Sequence, residues 1–124
     1  MRSTVADLLK WHVALFGGKV LKPATLAMMT APGKLKDGRP SSQGKIPPLW
    51  TSPTSEYGFG LFLDALDGHK SVGHGGAING FNTWMETYPD QQVTIVVVAN
   101  TSYPAAEKVG PMVAKALFKS LAIP

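Results

Sequence analysis

Four glycines fall within eight residues of the stretch Ser71-Val72-Gly73-His74-Gly75-Gly76-Ala77-Ile78-Asn79-Gly80-Phe81, and one histidine stands among them. Glycine weakens a strand. It is accepted there where backbone must approach a ligand or another chain closely, or where a bulge is needed. His74 in such a setting is a candidate for proton transfer, and equally an ordinary hydrogen-bonded strand residue. The other histidines, His12 and His69, add no metal-site spacing such as H-E-x-x-H, so no metal and no cofactor are expected. His12 falls on or near an apolar helical stripe and reads as structural, and His69 follows a turn and reads as solvated. The chain has no cysteine, which excludes disulfides, thiol nucleophiles and thiolate-bound metals.

One nucleophile pattern is present in form. Ser42-Gln43-Gly44-Lys45 spells Ser-x-x-Lys, in which a helix would place serine and lysine on one face. Gly44 and Ile46-Pro47-Pro48 deny it that helix, and the pattern is rejected. Asn100-Thr101-Ser102 spells a glycosylation sequon but is read as a strand-end cap.

The elements that would hold His74 follow from periodicity. Thr4 with Asp7 forms a capping pattern ahead of Val5, Leu8, Leu9, His12, Val13, Leu15 and Phe16 at helical spacing, and Gly17-Gly18 ends that helix. Pro23 opens a short second helix through Met29. Residues 31–56, rich in Gly, Pro, Ser and Lys, form a long loop suited to the rim of a binding site. Strands are expected at Tyr57–Asp64, Lys70–Gly75, Phe81–Tyr88 and Gln92–Asn100, with a tight turn at Asp67-Gly68. The unbroken apolar run Val93–Ala99 predicts a central strand covered on both faces. A closing helix would cover one face through Val109, Met112, Val113, Ala116, Leu117 and Leu121, with a kink or restart at Pro111. The expected fold is α+β: an antiparallel sheet of about four strands with an N-terminal and a C-terminal helix packed on it.

Composition narrows the partners. The 124 residues are about one domain's worth, 44% apolar and 16% charged, which excludes a disordered chain. The net charge of +4 is spread along the sequence with no base-stacking aromatic strand motif, so no nucleic-acid partner is expected. No apolar run approaches the roughly 20 residues of a membrane span. Met1-Arg2 leads into a polar Ser-Thr pair, so the signal for export of a longer parent, to periplasm or medium, would lie upstream.

Five motifs in order resemble the serine β-lactamase, penicillin-binding protein and esterase family, in its branch near class C β-lactamases and D-aminopeptidases. They are Ser3-Thr4-Val5-Ala6-Asp7-Leu8 with Trp11; Tyr57-Gly58-Phe59-Gly60-Leu61; Gly73-His74-Gly75-Gly76 with Gly80-Phe81; Tyr88-Pro89-Asp90; and Val96-Val97-Val98-Ala99-Asn100. The resemblance implies a partial β-lactamase/transpeptidase-like fold over residues 1–124. It places His74-Gly75-Gly76 where many members carry Lys-Thr-Gly on the strand beside the active site. By it, His74 assists proton movement and attracts a substrate carboxylate, Gly75, Gly76 and Asn79 border the substrate, and the Ala77 N–H is one oxyanion-hole donor. The family's Tyr-x-Asn is absent: Tyr57, Tyr88 and Tyr103 are followed two residues on by Phe59, Asp90 and Ala105.

The resemblance therefore implies a C-terminal portion whose nucleophile lies upstream, inactive alone. Its substrate would be an acyl compound: a β-lactam, a D-amino-acid peptide or an ester. The partner would be a complementing N-terminal portion. The alternative is a non-catalytic module that pairs through an exposed sheet edge, as a homodimer or with another chain.

Overall fold

The structure is a computed structural model that describes residues 3–40 and 56–121. Helix α1 spans Val5–Phe16, and its start is the expected one: Thr4 Oγ1 accepts the Asp7 N–H at 3.2 Å, which satisfies one of the free donors of the first turn. Helix α2 spans Pro23–Met29, with proline in its first turn. Five strands follow among the described residues: β1 (Glu56–Tyr57), β2 (Phe62–Leu66), β3 (His69–Ile78), β4 (Phe81–Tyr88) and β5 (Val93–Ala99). They pair antiparallel in chain order, and helix α3 (Ala105–Ser120) closes the chain. The candidate nucleophile string Ser42–Lys45 lies outside the described residues, as does most of the 31–56 loop.

The expected strand Tyr57–Asp64 is two strands. The Gly58 N–H bonds back to the Leu61 carbonyl at 2.8 Å and Gly60 has a φ of 72°, so the chain reverses between β1 and β2. The β2–β3 turn matches expectation, with φ of 51° at Asp67 and 90° at Gly68, the two positive angles that let a two-residue hairpin follow strand twist.

Side-chain alternation assigns the two faces of the sheet. Thr87 and Tyr88 are neighbours on β4 and so point to opposite sides. Thr87 Oγ1 meets His12 of α1, while the Tyr88 ring meets Phe118 of α3 at 4.9 Å, so one helix lies on each face. Buried Tyr88, Ile95, Ala114 and Phe118 form the α3-side core, with Leu66, Val93 and Val97 against them. Both helices pack on β5, as its apolar run requires. In the described sheet, however, β5 is the last strand and not a central one.

The buried stripe of α3 also differs from expectation. It is Ala106, Gly110, Ala114 and Phe118, while Val109, Met112, Val113 and Leu121 are exposed. At Gly110 the cause is Trp84, whose ring fills the space over the helix and leaves no room for a side chain. An added Cβ at Gly110 would lie 2.4 Å from Trp84 Cδ1. Gly110→Ala, which in an open helix gains about 1 kcal/mol, is therefore expected to cost about 1–3 kcal/mol by urea unfolding. A raised midpoint would contradict this packing.

His69 is half-buried, its ring 4.6 Å from that of Phe118, and not freely solvated, because the turn beside it folds back over the helix. His12 is structural as expected: it is 1% exposed, and its Nδ1 lies 2.7 Å from Thr87 Oγ1. Burial lowers its pKa from 6.5. A depressed folded-state value means the unfolded chain takes the proton first, so this contribution is complete above pH 6.5 and is lost as pH falls below it. Stability measured from about pH 7.5 to 5.5 should fall, and His12→Gln should flatten that slope.

Candidate functional site

Strand β3 carries the candidate residues, and its register decides what they face. β2 pairs with β3 only from His69 to Gly73, whereas β4 pairs with it from Val72 to Ile78. Residues His74 to Ile78 thus extend beyond β2, and no described strand covers that edge of them.

The Gly76 carbonyl points toward β4, where it accepts from Asn82 Nδ2 at 3.2 Å and Thr83 Oγ1 at 3.3 Å. The peptide plane places the Ala77 N–H opposite that carbonyl, so this donor is directed to the open edge. Asn82 is fully buried and does more than hold one carbonyl. Its Nδ2 also donates to Glu107 Oε1 at 2.9 Å, and its Oδ1 accepts the Ala106 N–H at 2.6 Å. It thereby caps α3, whose own N-cap residue, Pro104, makes no side-chain capping bond.

His74 lies on the same edge, exposed, with its ring stacked on Phe62 at 5.0 Å. Its Nδ1 contacts the Gly75 carbonyl at 2.5 Å and its Nε2 lies 3.2 Å from Tyr57 Oη. Gly75 is buried, and a Cβ there would meet Trp84 and Glu107, so its smallness is needed on the α3 side. At Gly76 a Cβ would meet only Thr83 Oγ1, at 3.1 Å. Asn79 sits exposed at the tip of the β3–β4 hairpin, beside Gly80 with a φ of 80°. The structure thus brings His74, Gly75, Gly76 and Ala77 together along one edge and leaves Asn79 at its end.

Beneath the site, on the α3 side, Glu86 accepts from Tyr88 Oη at 2.7 Å and Trp84 Nε1 at 3.3 Å. Burial first, and Glu86 second, push the Tyr88 phenol pKa far up, so it remains a donor to that carboxylate. Sequence reasoning missed Asn82 and Glu107 as supports, and it read Tyr57 only as part of a motif. The available signal was Asn82 and Glu86, two polar side chains on the face of β4 that Trp84 and Tyr88 share and a helix covers. Among the described residues no cluster of His, Cys, Asp or Glu could hold a metal, and no helix is long and apolar enough to cross a membrane.

A strand that carries His-Gly-Gly, backed by a closing helix, fits the arrangement the sequence resemblance implies. A family model described as Beta-lactamase matches residues 1–117. The chain belongs to the beta-lactamase family. This family comprises serine hydrolases related to the penicillin-binding proteins. Among curated relatives, D-aminopeptidases of Cereibacter sphaeroides are 34% identical over 73 residues, covering 58% of this beta-lactamase family chain and 14% of their own length. The fold is similar to that of the octameric penicillin-binding protein homologue from Pyrococcus abyssi, with a TM-score of 0.76 at 21% identity over 94% of this chain and 24% of that one. It is also similar to a D-stereospecific amidohydrolase from Streptomyces sp., with a TM-score of 0.61 at 26% identity over 82% and 26% of the two chains. The chain thus spans about a seventh of the curated relatives and about a quarter of these two structures.

Proposed function

We propose that this chain forms one wall of an acyl-transfer site, acting with a complementing N-terminal portion that carries the serine nucleophile. The reaction would be acylation of that serine by a β-lactam, a D-amino-acid peptide or an ester, followed by hydrolysis of the acyl-enzyme. The observation that carries this reading is the Ala77 N–H directed to the edge of β3 that β2 leaves open, next to His74. A donor held there by Asn82 and Thr83 costs no reorganisation when negative charge develops on an acyl oxygen, and one such donor is typically worth about 2.7–4 kcal/mol. An extended substrate could lie along the same edge as an added strand.

The test is the intact mass of the folded chain after incubation with a fluorophosphonate and, separately, with a penicillin. No adduct is expected from the chain alone. A stoichiometric adduct on any serine would overturn the division of labour.

A second reading, a module that pairs without catalysing, is favoured by a different observation. β5 is apolar apart from Thr94, yet it ends the described sheet, and Val98 is exposed. The outer stripe of α3, Val109, Met112 and Val113, is exposed as well. An open strand edge and an apolar helix stripe are features of a surface made for another chain. The partner is a second copy in this reading and the N-terminal portion in the first. Size-exclusion chromatography at several concentrations separates them, since a concentration-independent monomer would sink self-pairing.

A further inference from the structure

The ring contacts of His74 specify more than its place beside the site. A carbonyl oxygen can only accept, so the 2.5 Å contact with Gly75 puts the proton on Nδ1. In the neutral ring Nε2 is then bare and accepts the Tyr57 O–H across 3.2 Å. Phe62 fixes both partners, its ring stacked on His74 at 5.0 Å and edge-on to Tyr57 at 4.9 Å. With both nitrogens engaged inside the protein, the imidazole has no proton to offer outward. The atom left with free lone pairs is the phenol oxygen.

We propose that Tyr57 and His74 form one specificity-determining pair in which Tyr57 Oη is the atom presented to the substrate. This wall then selects an acyl substrate with a hydrogen-bond donor, an amine or amide N–H, at that point and disfavours a carboxylate. The inference rests on the acyl-transfer reading for its substrate and on the ring geometry alone for its tautomer. It differs from the expectation that His74 itself attracts a carboxylate, because an imidazole tied at both nitrogens has no N–H left to turn toward the substrate.

Nitrogen NMR of the ¹⁵N-labelled chain at neutral pH tests it. Nδ1 of His74 should resonate as a protonated nitrogen and Nε2 as a bare one. Tyr57→Phe keeps the packing on Phe62 and, since the Gly75 carbonyl still holds the Nδ1 proton, should leave the tautomer unchanged while removing the hydroxyl that meets the ligand. Titration with N-acetyl-D-alaninamide should then shift the His74 ring and Ala77 amide signals, with N-acetyl-D-alanine, which carries a carboxylate, weaker. Tyr57→Phe should weaken the amide ligand by about fivefold, the loss of one hydrogen bond. An Nε2–H tautomer in the wild-type chain, an undiminished amide response in Tyr57→Phe, an equal response to the two ligands, or no response to either would overturn the proposal. The tautomer needs no nucleophile. A failure there is therefore distinct from a failure of the acyl-transfer reading, which the mass-adduct experiment decides.

Discussion

Gly73→Ala is expected to cost more than about 3 kcal/mol, the upper end of overpacking losses. The added Cβ would lie 2.2 Å from the Met85 carbonyl oxygen and 2.9 Å from Glu86 Cα. Both are backbone atoms of β4, the strand paired with Gly73 through the Gly73–Glu86 register. A crowded side chain can rotate away, but a ladder can relieve this clash only by parting its strands. Since domains of this size hold about 5–15 kcal/mol in total, much of the folded population would be lost. Gly76→Ala is the matched control on the same strand. Its Cβ would meet only Thr83 Oγ1, at 3.1 Å, and its loss should stay within about 1 kcal/mol. Urea unfolding followed by circular dichroism reads both, and equal midpoints for the two variants would mean that the β3–β4 register is wrong.

Asn82→Ala should cost about 2–4 kcal/mol, because a fully buried amide is replaced by a methyl group that can bond nothing. Glu107 Oε1 loses its 2.9 Å donor, the Ala106 N–H loses its 2.6 Å acceptor, and the Gly76 carbonyl keeps only Thr83. Asn82→Asp separates these losses. It keeps an acceptor for Ala106 but turns an oxygen toward Glu107 Oε1 and the Gly76 carbonyl, so it should be at least as harmful as alanine at neutral pH. A local readout accompanies the global one. Hydrogen exchange at Ala106, whose N–H loses its acceptor, should accelerate more in Asn82→Ala than exchange in β5. Uniform acceleration would assign Asn82 a purely global role.

Local chemistry was the most legible part of this sequence. The Thr4–Asp7 cap and the Asp67-Gly68 turn depend on residues a few positions apart, and both form as their types dictate. The run Val93–Ala99 shows where a periodicity argument stops. Apolarity broken only at Thr94 reports cover on both faces, which α1 and α3 supply, but carries no information about neighbours in the plane of the sheet. The stripe of α3 was misjudged for a related reason. Bulk was taken as the sign of burial, whereas Ala106, Gly110 and Ala114 are buried with Phe118, Gly110 lying under the Trp84 ring. The supports of the candidate site, Tyr57 for His74 and Asn82 for Gly76, act across 17 and 6 residues of sequence. Only the folded register brings them together.

The overhang of β3 also acts as a ruler. From His74 to Ile78 the strand advances about 13 Å at roughly 3.3 Å per residue. Backbone groups alternate sides along it, so Gly75 and Ala77 turn theirs outward, and the Gly75 carbonyl already accepts from His74. A guest chain laid along this edge finds pairing for about one residue on each side of the Ala77 donor before meeting the end of β2 one way and the hairpin turn at Asn79-Gly80 the other. Lengthening such a guest further would add bulk without adding backbone contacts on this wall.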